Sequence, residues 1–337
     1  MDTSQLEKTV SRMMARGKGI LAMDESAGTI TQRMIEVGVV STPEANRNFR
    51  SILVTSPGIE NYISGVIMFE ETLRQKVDGT NMTFPEYLES KGIVPGIKVD
   101  KGKKDMAGFP GEFVTIGLDG LRDRFKEFYE LGARFAKWRA EFHIDDEKGL
   151  PSFACVDAND NSLTRYSNIG QEQSIATIQE PEVMMTGNHS NAVCFNVTAG
   201  ILEHLFNLNE RYGVYLPGIV LKSNMILAGK DYRSKPSTVE VAGRTYNCLK
   251  KNVPENVGGI APPSGGMSDE DSAFNLNTLN RHYGEEAPWR MTFSYGRALQ
   301  REALAEWGRN PQNVDGIQRL FLEKAKTYSL ASEGKLE

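Results

Sequence analysis

The chain is poor in the residue types that build metal and redox sites, with only three cysteines and four histidines in 337 residues. Cys155, Cys194 and Cys248 are odd in number and far apart, without a Cys-x-x-Cys pair, which argues against a disulfide frame or a structural zinc site. His143, His189, His204 and His282 show no His-x-His or His-Glu-x-x-His pairing to collect a catalytic metal. No run of five or six like charges is present, and a net charge of -5 spread along the chain gives no footprint for nucleic acid. Nothing approaches the roughly 18 consecutive apolar residues of a membrane span. The amino terminus, Met1-Asp-Thr-Ser-Gln-Leu-Glu, lacks a basic region followed by an apolar stretch, so the expectation is a cytoplasmic protein that engages no membrane. A Pro/Gly/Ser-rich linker is missing too. So is a Gly-x-Gly-x-x-Gly turn after the first apolar run, where Asp24-Glu-Ser-Ala-Gly-Thr29 stands instead.

What is present is an ordinary globular composition, 39% hydrophobic and 25% charged, sufficient for a large core. Short β-rich runs alternate with helix-period segments, the pattern of repeated βα units around a parallel sheet. Eight runs qualify: Gly19 to Met23, Ile63 to Phe69, Val94 to Val99, Arg134 to Trp138, Ile175 to Gln179, Leu216 to Leu221, Val257 to Ala261 and Met291 to Tyr295. Between them, Leu121 to Leu131 places Leu121, Phe125, Phe128 and Leu131 on one stripe, and Asn196 to Tyr212 does the same with Val197, Ile201, Leu205 and Leu208. The reading is α/β, a (β/α)8 TIM barrel forming a single domain over 1–337, with its core at 18–308. A helix over Gln5 to Met14 precedes the barrel, and a helical tail segment at 309–337, including Ile317 to Leu330, follows it. A doubly wound sheet is the structural alternative.

In a barrel of this kind, active residues gather at the carboxyl ends of the strands. Lys222 closes the run Leu216-Pro-Gly-Ile-Val-Leu-Lys222, and a desolvated lysine there is a potential amine nucleophile for a carbonyl. Asp24 follows the first run, Lys98 ends the third, Lys137 and Arg139 the fourth, and Glu180 the fifth. Ser264-Gly-Gly266 follows the seventh, and Ser294 and Arg297 fall at the eighth. So many charges round one mouth are costly unless paired or used on a ligand, which points to an anionic carbonyl substrate. Plainer readings stand beside this one. Lys137 and Glu180 fit a structural ion pair, Lys98 with Asp100 and Lys101 fits a solvated loop, and Ser264-Gly-Gly266 fits a tight turn. The serine and glycines also offer backbone N–H groups to phosphate, with a helix amino end at Ser268-Asp-Glu.

Eight ordered motifs carry a resemblance. They are Gly19-Ile-Leu-Ala-Met-Asp-Glu-Ser26, Gly65-Val-Ile-Met-Phe-Glu-Glu-Thr-Leu73, Gly96-Ile-Lys-Val-Asp-Lys-Gly102, Phe135-Ala-Lys-Trp-Arg139, Glu180-Pro-Glu182, Leu221-Lys222, Ser264-Gly-Gly266 and Thr292-Phe-Ser-Tyr-Gly-Arg-Ala-Leu-Gln300. From Gly19 to Leu336 the chain resembles class I fructose-bisphosphate aldolase, the metal-free Schiff-base type. The resemblance implies reversible cleavage of fructose 1,6-bisphosphate in glycolysis and gluconeogenesis, with no cofactor and no metal, in a homotetramer or dimer. Lys222 would form the imine, Glu180 carry protons, Lys137 hold that acid-base group in register and Asp24 accept the hydroxyl proton during carbon–carbon cleavage. Ser264, Gly265, Gly296 and Arg297 resemble the site of the phosphate nearer the ketone. Ser26, Thr29 and Lys98, with Arg33 nearby, resemble the site of the other, while Arg139, Glu182 and Ser294 match positions that order the lysines and the acid.

The chain also departs from the family pattern. Met23 stands where alanine is usual and is expected to crowd Asp24. Gln179 replaces a small or aliphatic residue, Ser223 a proline, and Pro262-Pro263 non-proline residues. Thr186-Gly-Asn-His-Ser190 replaces an acidic stretch, and Glu337 ends the chain without a tyrosine tail. Two other readings keep the same residues. One is a Schiff-base aldolase for another bisphosphorylated ketose such as sedoheptulose 1,7-bisphosphate, and the other an aldolase-like binding protein with weakened catalysis.

Overall fold

The computed structural model describes all residues 1–337. Eight parallel strands form one sheet: β1 (Gly19–Met23), β2 (Ile63–Met68), β3 (Val94–Lys98), β4 (Phe135–Phe142), β5 (Ala176–Val183), β6 (Ile219–Leu221), β7 (Gly259–Ile260) and β8 (Ser294–Tyr295). They lie in the order β8-β1-β2-β3-β4-β5-β6-β7. The ring closes where Ile260 bridges Met291, through Ile260 N–H to the Arg290 carbonyl at 3.0 Å and Thr292 N–H to the Ile260 carbonyl at 2.9 Å. This is the expected (β/α)8 barrel.

The strands differ from the sequence expectation in length. β4 and β5 run on to Phe142 and Val183, so Lys137, Arg139 and Glu180 lie within strands rather than at their ends. Apolarity stops marking these strands because their inward positions turn polar. Leu216–Gly218 is a 3-10 turn containing Pro217, leaving only Ile219–Leu221 as strand. A hairpin pairing Lys103–Asp105 with Phe113–Thr115, between β3 and β4, has one all-charged strand and escapes a reading based on apolar runs.

Alternation along each strand sorts the side chains. Ile20, Ala22, Ile67, Val94, Phe135, Ala176, Ile178, Val220 and Ala261 fill the interior. Phe135 takes so much of it that a Cβ on Gly96 would lie 2.2 Å from its ring, so Gly96 is obligatory. Truncating Phe135 to alanine would cost about 3–5 kcal/mol through the cavity it leaves. Leu6, Val10, Met13 and Met14, from the helix Thr3–Met13 and its end, join this cluster and close the amino-terminal mouth. Helix Val314–Ala331 packs on Arg297–Arg309, Asp269–Tyr283 and Pro43–Val54, burying Ile317, Phe321, Ala325 and Tyr328. The residues expected as a following tail segment therefore form part of the helical wall.

Candidate active site

With an apolar floor below, the open carboxyl end of the barrel is polar. Interior positions continue upward from Ala22 to Asp24, from Phe135 to Lys137 and Arg139, from Ile178 to Glu180 and Glu182, and from Val220 to Lys222. Every site residue singled out above lines one cleft of about 790 Å³ there.

Four buried charges form a chain at its base. Lys222 Nζ lies 3.0 Å from Glu180 Oε1, Lys137 Nζ 3.1 Å from Glu180 Oε2, and Lys137 Nζ 2.6 Å from Asp24 Oδ2. Glu180 Oε2 makes no well-directed hydrogen bond, so its link to Lys137 is a charge contact. Burial pushes the Asp24 carboxyl up, but Lys137, Lys222 and Lys98 together hold it below the usual aspartate range. Glu180 is likewise held low against its burial by Lys137, Lys222 and Arg139. For Lys137 burial disfavours the ammonium, but Asp24, Glu180 and Asp100 outweigh it and raise the group above an ordinary lysine. Lys137 is therefore a fixed cation, and the two carboxylates are ionised beside it. Behind them, the Tyr166 hydroxyl lies 2.7 Å from the Ile178 carbonyl and 3.1 Å from that of Ala136, tying β5 to β4.

Arg139 Nε donates to Glu182 Oε2 at 2.6 Å, and burial of its guanidinium is outweighed by Glu182, Glu180 and Glu141. Ser294 Oγ is buried without a partner. The cleft's acids face lysines and arginines, and no group of three or more His, Cys, Asp or Glu is placed to hold a metal ion.

Two sites with donors suited to cradle an anion flank the charge chain. The first joins Ser264, Gly265 and Gly266 to the start of helix Arg297–Arg309. That helix has neither a side-chain cap nor an acidic residue in its first turn, and its leading residues Gly296 and Arg297 line the cleft. A Cβ on Gly265 would sit 2.3 Å from Glu182 Oε1, and Gly266 has φ of +79°. The helix end at Ser268, expected to assist, does not. Ser268 caps its own Asp271 N–H, and Asp269, Glu270 and Asp271 fill the first turn with negative charge. The second cradle is the uncapped start of helix Ala27–Glu36, where Ser26 Oγ and Thr29 Oγ1 lie 3.1 Å apart. Lys98 stands near it, bonded to the Asp100 carbonyl at 3.0 Å, and Arg33 pairs with Glu25.

Asp100 and Glu25 hold these cations, and the sequence reading gives neither a role in the site. Their signal is placement within two residues of Lys98 and beside Asp24. Lys230 also lines the cleft, exposed and without an ion-pair partner. The expected crowding by Met23 is not found. Met23 belongs to the packing between sheet and helices, and Ala22 lines the cleft instead. Gln179 and Ser223 are turned away by the same alternation, whereas Pro263 does line the cleft.

The family model described as fructose-bisphosphate aldolase class-I matches residues 5–337. The chain is 46% identical over 336 residues to a probable fructose-bisphosphate aldolase class 1 of Xylella fastidiosa, covering 99% of each. It is 42% identical to fructose-bisphosphate aldolase B of Ovis aries, over 98% of this chain and 90% of that one. A structure of fructose-bisphosphate aldolase from Plasmodium falciparum superposes with a TM-score of 0.96 at 39% identity, covering 99% of this chain and 95% of the other.

Proposed function

The chain belongs to the class-I fructose-bisphosphate aldolase family, and from that premise we propose how its cleft performs the reversible cleavage of fructose 1,6-bisphosphate to dihydroxyacetone phosphate and glyceraldehyde 3-phosphate. It is a lyase working through a lysine Schiff base. The observation that carries the assignment of roles is the 3.0 Å contact between Lys222 Nζ and Glu180 Oε1.

Lys222 passes a proton to Glu180, and the neutral amine adds to the substrate ketone, a second nitrogen proton passing to the new alkoxide to give the carbinolamine. Glu180 then returns the proton to the carbinolamine hydroxyl, which leaves as water and gives the iminium. Asp24 accepts the proton of the hydroxyl on the far side of the scissile carbon–carbon bond. That bond breaks, its electrons pass to the iminium nitrogen as an enamine, and the aldehyde half departs. Reprotonation of the enamine and hydrolysis of the imine release the second product. Lys137 supplies a fixed positive charge that keeps both carboxylates ionised between transfers. Ser264, Gly265, Gly296 and Arg297 take the phosphate nearer the ketone, and Ser26, Thr29 and Lys98 the other, with Arg33 beside them. Arg139, Glu182 and Ser294 order this set.

The chain 1–337 works as one unit, in a homotetramer or dimer, in the cytoplasm, within glycolysis and gluconeogenesis. No helix is long and apolar enough to cross a membrane. The decisive experiment is borohydride reduction in the presence of dihydroxyacetone phosphate. A covalent adduct at Lys222, lost in Lys222→Met, is expected; an unlabelled Lys222 would sink the proposal.

A further inference from the structure

Gln179 touches the reacting pair twice through its backbone. Its carbonyl accepts the Lys222 N–H at 2.8 Å, and the next residue in β5 is Glu180. Its side chain points out of the barrel and is fully buried against two helices. There it forms a reciprocal amide pair with Asn209 of helix Asn191–Arg211: Asn209 Nδ2 donates to Gln179 Oε1 at 2.9 Å, and Gln179 Nε2 donates to Asn209 Oδ1 at 3.0 Å. Gln179 Nε2 also reaches Ser167 Oγ at 2.9 Å and the Leu163 carbonyl at 3.2 Å, on helix Phe153–Glu172. Thr164 Oγ1 donates to Asn209 Oδ1 at 3.0 Å.

An aliphatic side chain would fill this space without desolvating an amide. What it would not supply is direction. Apolar contacts tolerate small slides, whereas a satisfied buried network fixes one rotation and one height of the strand against its helices. The height fixed here is that of the peptide contacting Lys222 and followed by Glu180. Two side chains that must exchange a proton at 3.0 Å gain from such a constraint, because sub-ångström displacement weakens the transfer.

We propose that the Gln179–Asn209 pair is a positioning device that sets the separation of Lys222 and Glu180, and through it the rate of imine formation. This rests on the roles given above to Lys222 and Glu180. Neither Gln179 nor Asn209 lines the cleft, so neither is a catalytic residue.

The test replaces both partners, Gln179→Leu with Asn209→Leu, since removing the two together leaves no orphaned amide and spares the fold. The swapped pair, Gln179→Asn with Asn209→Gln, restores a reciprocal contact. In the double leucine variant KM for fructose 1,6-bisphosphate stays within about twofold, while kcat and the rate of borohydride-trappable adduct formation fall about tenfold. The limbs of its pH–rate profile are displaced, and the swapped pair regains most of the loss. If the double variant does not fold, Thr164→Val with Ser167→Ala loosens the same pair inside an intact core, and kcat falls about threefold. Folded variants with wild-type kcat and pH profile would overturn the inference, as would losses that track Tm whether or not the amide pair is kept. A wild-type protein that forms no adduct overturns the underlying roles as well, a result visible before any substitution is made.

Discussion

Lys137 and Asp24 meet across the barrel, 2.6 Å apart, although β4 and the end of β1 are separated by two other strands. The same ammonium faces Glu180, so one cation neutralises two buried carboxylates from opposite walls.

Lys137→Met leaves both acids buried without that partner. With general acid–base catalysis worth about 10²–10⁴-fold, kcat should fall by about that factor. Stability should change its pH dependence as well. In the wild type, Asp24 and Glu180 sit below their ordinary values of 3.8 and 4.5, so they add stability above those values and lose it as pH falls through the depressed ones. In Lys137→Met the largest offset to burial is gone, so both groups rise and stability becomes less favourable with increasing pH than in the wild type. Thermal melts at about pH 5 and pH 8 should show Tm falling more steeply with pH in the variant than in the wild type; parallel shifts in both proteins would contradict this.

The two cradles predict separable effects on substrates with one phosphate or two. Lys98→Met should raise KM for fructose 1,6-bisphosphate about tenfold or more, through loss of a charge-assisted contact, and leave fructose 1-phosphate unchanged. Arg297→Ala should weaken both. Steady-state kinetics on the two sugars checks the assignment, and an equal penalty from Lys98→Met on each would refute it.

Gly265→Ala would place a Cβ 2.3 Å from Glu182 Oε1. Glu182 must then move, releasing Arg139 and narrowing the cradle. The fold is expected to persist, with KM for the bisphosphate raised roughly tenfold or more. A kinetic comparison alongside a thermal melt distinguishes this from general destabilisation.

Asp160 is fully buried on helix Phe153–Glu172, with Oδ2 3.0 Å from His204 Nδ1 and Oδ1 unpartnered. Burial pushes its carboxyl up to about 7, despite the help of His204. A raised acid costs stability as pH climbs from the ordinary value through the folded one. Asp160→Asn should therefore raise Tm more at about pH 8 than at pH 5. Equal shifts at both would refute the assignment.

Much of this was legible because a barrel strand has a period of two and its carboxyl end is polar. Lys222, Lys98 and Asp24 could be placed from the apolar runs they terminate. Lys137 and Glu180 were found, but not the full length of their strands, since inward-facing charges such as Arg139 and Glu182 erase the apolar signal. Met23 shows the opposite failure. Its neighbour in sequence is Asp24, yet alternation puts it behind the wall, where it cannot crowd anything in the cleft. The helix at Ser268 looked like a phosphate seat by its serine, and only its three acidic residues and the cap it makes for itself reveal otherwise. The partner of Gln179 lies 30 residues away and carries no sequence signal.

The strands are unequal in a way that divides the labour of the cleft. β4 and β5 share eight register pairs, from Phe135 opposite Ala176 to Phe142 opposite Val183, and carry Lys137, Arg139, Glu180 and Glu182. β7 and β8 are two residues each, joined by a single bridge, and lead into Ser264 and Arg297. The Lys137–Glu180 contact is thus mounted on the most extensively paired strands of the ring, whereas Ser264 and Arg297 follow its two shortest, which fewer backbone hydrogen bonds hold together.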